Sequence, residues 1–321
     1  MTDKLQRPRR VYFFSTCVVD AMAPGAGMDS IELIRAAGIA VDFPQAQSCC
    51  GQPAYTSGYT DEARQVAAAQ LDLFPEPWPV VVPSGSCAGM LVHHWPRLFA
   101  DDPTRLAKAE RIRGQVVEFS EFAVKVLGLA AAAGSAPAAA PTLAEAPVRT
   151  PVKVALHTSC SGRREMGTHI PSRALLAALP GVELVDFARE AECCGFGGTF
   201  SARHPAISGA MVQDKLQSVR DAGATVLVSA DCGCLLNIHH AAEKLGGAAS
   251  EVRLSAPKMA CRAAWVLGKD GVIAGAFGVP WRQSVTCCAA SVAPMRSRRK
   301  LPRCTQRGWP LAAPPSFSAA W

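Results

Sequence analysis

No stretch of this 321-residue chain approaches the roughly 18 successive apolar residues that a membrane-spanning helix needs, so no transmembrane segment is expected. A convincing export signal is missing too. The opening "MTDKLQRPRRVYFFSTCVVDAMAPGA" has a basic start and an apolar stretch, but Asp20 interrupts it, and "RVYFFST" works better as a first buried strand. The body of the chain has no excess of basic charge. The net charge of +7 comes from residues 251–321, which hold 11 Lys and Arg against 2 Asp and Glu, while residues 1–250 hold the other 22 against 24. That distribution gives no reason to expect nucleic acid as a partner. A complete dinucleotide fingerprint is also lacking: "GFGGTF" at 195–200 follows two cysteines and lacks the full G-x-G-x-x-G, which argues against a nicotinamide cofactor.

Cysteine, by contrast, is abundant, with 13 residues. In a short secreted chain that number would suggest a disulfide framework. Here the chain is long enough for two domains, 49% of it is apolar, and the cysteines cluster. Together these features point to a reducing, cytoplasmic compartment and to metal or redox chemistry.

The clusters repeat. "VYFFSTC" ends at Cys17; after 31 residues come Cys49, Cys50 and Gly51; after 36 more residues from Cys50 comes Cys87 in "PSGSCAGM". "KVALHTSC" ends at Cys160; after 32 residues come Cys193, Cys194 and Gly195; after 39 more from Cys194 comes Cys234 in "SADCGCLLN". Order and spacing agree within three residues, which reads as an internal duplication. Adjacent cysteines strain if they bond to each other, and packing alone has no need of two thiols at one point.

Each half alternates strand and helix. In the first, "RVYFFS", "IAVDF" and "PVVVPS" read as strands, and "MDSIELIRAAG", closed by Gly38, and "TDEARQVAAAQLDLF", with Thr60 as N-cap, read as helices. The second repeats the order with "VKVALHTS", "VELVDF" and "TVLVSA" as strands and with "SRALLAALPG", "PAISGAMVQDKLQSVRDAG" and "CLLNIHHAAEKLG" as helices. The expected fold is α/β: two tandem, pseudo-repeated Rossmann-like units with parallel sheets, facing each other across a site or sites at their strand ends. Units are expected at 1–127 and 152–250, joined by an Ala/Pro linker at 128–151 and followed by an atypical basic tail at 251–321 that is expected to be disordered. That tail is rich in Arg, Pro, Ser and Trp; out-of-frame reading of GC-rich DNA and a basic arm for an acidic partner both fit its composition.

Each cysteine follows the carboxyl end of an expected strand, where ligands of open α/β sheets bind. Cys17, Cys49, Cys50 and Cys87 are therefore expected to gather at one site, and Cys160, Cys193, Cys194 and Cys234 at another. Glycine after each pair allows a sharp turn and close approach to a bulky ligand. Four thiolates suit an iron–sulfur cluster or zinc; vicinal sulfurs suit a cluster better, because they can reach different irons. The short C-x2-C-x2-C run of bacterial ferredoxins is absent, so clusters here would not be of that type.

The segments "CCGQPAYTSGYTDEAR", "PSGSCAGM", "CCGFGGTFSARHPAISGAMVQDK" and "CGCLLNI" resemble the cysteine-rich CCG domain found in heterodisulfide reductase and in the iron–sulfur component of glycolate oxidase. Within that group the chain is most similar to the lactate utilisation protein A family, over roughly residues 10–245. The resemblance implies a cytoplasmic redox subunit with iron–sulfur centres of 4Fe-4S type. It implies companions, one of them a ferredoxin-type iron–sulfur protein, in a complex that oxidises L-lactate to pyruvate. It also implies that the two sets of four cysteines are the ligands. Heterodisulfide reductase ends each motif with C-x-x-C, whereas this chain has "CAGM" and "CLLN". A simpler centre, a zinc-stabilised docking subunit, a glycolate-oxidising complex and a metal-free thiol–disulfide protein thus stay open.

Cys232 is an extra thiol that reads either as a small buried residue or as a supplement to Cys234. His93–His94 and His239–His240 sit at matching places and read as solvated side chains or as a proton relay. Arg163, Arg164, Arg203 and His204 could attract a carboxylate or simply face solvent. None of these motifs offers a clear general base, so hydrogen abstraction is expected of a partner.

Overall fold

The computed structural model describes residues 7–130, 151–179 and 181–245, and the backbone of 253–255, 265–267 and 273–275. Two four-stranded sheets form the frame. The first contains β1 (Arg10–Phe13), β2 (Ala40–Asp42), β3 (Val80–Val82) and β4 (Val116–Glu118) in the order β2-β1-β3-β4. The second contains β5 (Val152–His157), β6 (Val182–Leu184), β7 (Val226–Ser229) and β8 (Arg253–Ser255) in the order β6-β5-β7-β8. Every pair in both sheets is parallel. The expected tandem α/β architecture is what the chain adopts.

Period-two alternation sorts the strand residues onto two faces. In the first sheet Tyr12, Phe14, Val80 and Val82 join one core, while Val11, Phe13, Val81 and Val117 join the core on the opposite face. In the second, Ala155 and Leu227 face one core, and Val154, Leu156, Val226 and Val228 the other. Burial on both faces explains why β3 is an unbroken valine run. Each fully buried Phe or Val stabilises the fold by about 1.5–3 kcal/mol. The cores do not stop at the unit boundary, for Leu175 of the second unit packs into the first unit's core with Phe119 and Phe122.

Two details differ from the sequence reading. The helix expected from Thr60 to Phe74 runs only from Thr60 to Ala68, and its N-cap is Tyr59, without a side-chain cap. Asp61 and Glu62 in its first turn favour that end instead. The chain then turns through 69–73, which brings both Leu71 and Phe74 into the core. The edge strands β4 and β8 were not expected. β4 abuts the helices Pro103–Gln115 and Phe119–Lys125 without a loop, so three residues carry its whole signal. β8 lies beyond the boundary expected at 250 and pairs with β7, so the first residues of the expected tail belong to the second sheet. An antiparallel pair, β9 (Trp265–Leu267) and β10 (Ile273–Gly275), also falls in that tail. The rest of it, including Cys287 and Cys288, lies outside the described residues, as does 131–150 of the expected linker.

In both sheets the chain leaves the first strand toward one neighbour and returns to the other side. The order therefore reverses between β1 and β3 and between β5 and β7. Such switch points open a crevice at the strands' carboxyl ends.

Candidate metal centre

The cysteines are placed by this crevice. Cys17 opens the helix Cys17–Met22 after β1, and Cys160 opens the helix Cys160–Arg164 after β5. Cys87 lies in the helix Gly85–Gly89 after β3, and Cys234 in the helix Cys232–Leu245 after β7. Side-chain caps fix three of these helix starts. Thr16 accepts from Val19 N at 3.3 Å, Ser159 from Gly162 N at 3.1 Å, and Ser84 from Cys87 N at 3.4 Å. Thr16 does so at φ 64, a strained conformation for a β-branched residue, directly beside Cys17.

The paired cysteines sit on turns that need glycine. Gly51 and Gly195 have φ of 86 and 82. A Cβ would fall 3.2 Å from the Ala63 carbonyl oxygen at Gly51 and 2.8 Å from that of Ser208 at Gly195. The turn aims each glycine N–H back at the preceding pair. Gly51 N donates to Cys49 Sγ at 3.4 Å, and Gly195 N to Cys193 Sγ at 3.3 Å. Trp95 Nε1 and Asn237 Nδ2 each hold the next carbonyl oxygen, of Cys50 and Cys194, at 2.9 Å.

All eight side chains expected at the two sites come together in their two sets, and all are free thiols. In the first set thiol contacts run Cys17–Cys49–Cys50–Cys87, the last pair 3.4 Å apart. In the second they run Cys160–Cys193–Cys194–Cys234. Cys49 is held far below the ordinary thiol range because Cys17, then Cys50, donate to it. Cys193 is held low in the same way by Cys160 and Cys194. Their neighbours Cys17, Cys50, Cys160 and Cys194 are pushed up by those bonds and by burial. Such a chain can hold little negative charge alone; a cationic centre would let all four sulfurs ionise. In that respect the donor set fits a metal centre.

The two sets share one cavity of about 260 Å³, lined by all eight cysteines and by Cys232. The units meet closely around it. A Cβ on Gly85 would lie 2.8 Å from Gly162 Cα, and one on Gly198 would lie 3.2 Å from Pro53 Cα. Buried Asp231 accepts from Ser84 Oγ at 2.7 Å and from Ser86 N at 3.1 Å across the unit boundary.

The family model for the CCG cysteine-rich domain matches this chain twice, over residues 11–92 and 154–239. Lactate utilization protein A of Bacillus subtilis (strain 168) is 39% identical over 229 residues, 71% of this chain and 90% of that protein. This chain belongs to the lactate utilization protein A family. A second member, from Bacillus cereus (strain B4264), is 37% identical over 237 residues, 74% of this chain and 93% of its own length. A solved hypothetical protein of Helicobacter pylori aligns with a TM-score of 0.47 at 11% identity, over 78% of this chain and 46% of that one.

For a member of the lactate utilization protein A family, the residue that sequence reasoning missed is His157. It ends β5, has no exposed surface, and neither ring nitrogen has a hydrogen-bond partner. Its ligand atom and the Sγ atoms of Cys194 and Cys234 lie within 4.8 Å of one another, a group able to hold a metal ion. Burial, with help from Lys215 and Arg163, lowers its pKa to about 3, so it is a neutral donor. A histidine at the buried end of a strand, directly after the apolar run 154–156 and where the first unit has Phe14, was the available signal.

Cys232 is buried between the sets: burial first, then Asp231, Cys87 and Cys234, push its thiol up to about 12. The histidine pairs do not line the cavity. His94 Nε2 instead lies 2.9 Å from Glu165 Oε1, His93 Nε2 lies 3.2 Å from the Glu165 carbonyl oxygen, and His239 pairs with Glu243. Arg163 is engaged with Glu190 at 2.9 Å, and Arg203 and His204 are exposed. Among the described residues no helix is long and apolar enough to cross a membrane.

Proposed function

We propose that each set of four cysteines holds an iron–sulfur centre of 4Fe-4S type, and that the chain passes electrons within a cytoplasmic complex oxidising L-lactate to pyruvate. The observation that carries this reading is the opening of both thiol sets onto one cavity at the switch points of both sheets. Lactate is drawn from the name of the relatives, and a ferredoxin-type iron–sulfur protein is the companion in view. Such centres supply one-electron transfer. The chain's own part is to hold them through Cys17, Cys49, Cys50 and Cys87 and through Cys160, Cys193, Cys194 and Cys234. Gly51 and Gly195 direct N–H bonds at the sulfurs, and the cores exclude water from their inner side. No clear general base stands among the cysteine motifs, so oxidation of the substrate itself is given to a partner.

One observation favours a second reading. His157, Cys194 and Cys234 make a Cys2His donor set, which zinc also takes. Under that reading the chain is a zinc-stabilised docking subunit of the same type of complex. Metal and acid-labile sulfide on anaerobically purified protein, with a visible spectrum of the same sample, decide between them. Brown protein with near-equal iron and sulfide is expected. Colourless protein carrying zinc without sulfide would establish the docking subunit, and metal-free protein whose thiol count follows added reductant would establish a thiol–disulfide centre.

A further inference from the structure

The two units build their cysteine sets alike but not what lies beneath them. Phe14 and His157 are the same position of the duplication: Phe14 directly follows β1 and His157 ends β5, each three residues before the first cysteine. Phe14 packs against the core that contains Cys50, as an apolar residue should. His157 occupies the matching place under Cys194 and Cys234, on the strand face that carries Ala155. An imidazole buried there without a hydrogen bond costs free energy that a phenyl ring would not. Buried polar groups in folded proteins are nearly always partnered, and an unpartnered one calls for a ligand or a function.

This inference rests on the iron–sulfur reading above. We propose that His157 is a fifth protein ligand of the second centre, beside Cys160, Cys193, Cys194 and Cys234, while the first centre is held by thiolates alone. The geometry already supplies the approach, since the ring's donor atom lies within 4.8 Å of two of the sulfurs. Chemically the centres then differ, because the second carries a nitrogen donor in addition to its four thiolates.

The test uses the full chain, purified anaerobically with 15N-histidine or with natural-abundance histidine, with iron and sulfide counted on each sample. Pulsed EPR should show nitrogen coupling of a directly bound imidazole that changes with the label. His157→Phe, which copies the first unit, should abolish it. His157→Cys should also abolish it and move one of the two visible redox waves to lower potential, leaving the other unchanged. Iron and sulfide present with no histidine coupling and no moved wave would overturn the proposal, as would coupling that survives both substitutions. Absence of iron and sulfide from the unsubstituted chain would instead overturn the iron–sulfur reading on which it stands.

Discussion

The first and second units share a sheet order, a set of four cysteines and a glycine turn after each pair, yet their surroundings diverge at matching positions. Gln70, buried in the first unit, bonds the Ser48 backbone and the Cys49 carbonyl oxygen. Its counterpart by the leucine that follows each is Lys215, also buried, which bonds the Arg189 carbonyl oxygen and lies 5.2 Å from the Phe187 ring. Burial lowers the lysine's pKa, and Cys194 is the largest influence raising it again. Phe14 faces His157, Ser84 faces Asp231, and Gly85 faces Cys232 in the same alignment. The thiol donors match in both halves, while behind them the second half carries the ionisable side chains His157, Lys215 and Asp231 where the first has Phe14, Gln70 and Ser84. Identical ligand motifs therefore need not give identical centres, because a neighbouring charge or donor changes what the same sulfurs can hold.

The comparison is broken most forcefully at the sulfurs themselves. Cys50→Ser and Cys194→Ser should each remove about half of the bound iron and sulfide, and the double variant nearly all of it, measured on anaerobic protein. Loss of everything from either single variant would mean one centre shared by both units rather than two.

A smaller difference lies in the edge strands. The third residue of β4 is Glu118 and the third of β8 is Ser255, so only the first sheet can titrate there. Burial, followed by the field of Asp231, raises the Glu118 pKa from 4.5 to about 7. A raised folded-state pKa gives stability that is complete below pH 4.5 and is lost as pH rises through 7. The loss amounts to about 3 kcal/mol. Glu118→Gln should flatten that fall in denaturant titrations between these pH values; an unchanged slope would show that the carboxyl is not held protonated.

The smallest expected contrast is between the two turn glycines. Gly195→Ala places a Cβ 2.8 Å from a carbonyl oxygen and Gly51→Ala places one at 3.2 Å, both at positive φ. Thermal unfolding should show losses of roughly 2 and roughly 1 kcal/mol respectively. Equal losses would mean that backbone conformation alone, and not the approach to Ser208, sets the cost.

The sequence alone determined the duplication, the parallel sheets and the grouping of eight cysteines. These follow from local periodicity and from spacing along the chain, as with the valine run of β3 and the glycines after each cysteine pair. Edge strands of three residues, such as β4, were hidden because they leave no period to detect. That the helix after Thr60 stops at Ala68 depends on where Leu71 and Phe74 find a core, which a helical pattern cannot say. Only the tertiary structure decided that both thiol sets open on one cavity, that Asp231 is held by Ser84 of the other unit, and that His157 lies under Cys194 and Cys234. Those are contacts between residues dozens to more than a hundred positions apart, and what fixes them is the packing of one sheet's strand ends against the other's.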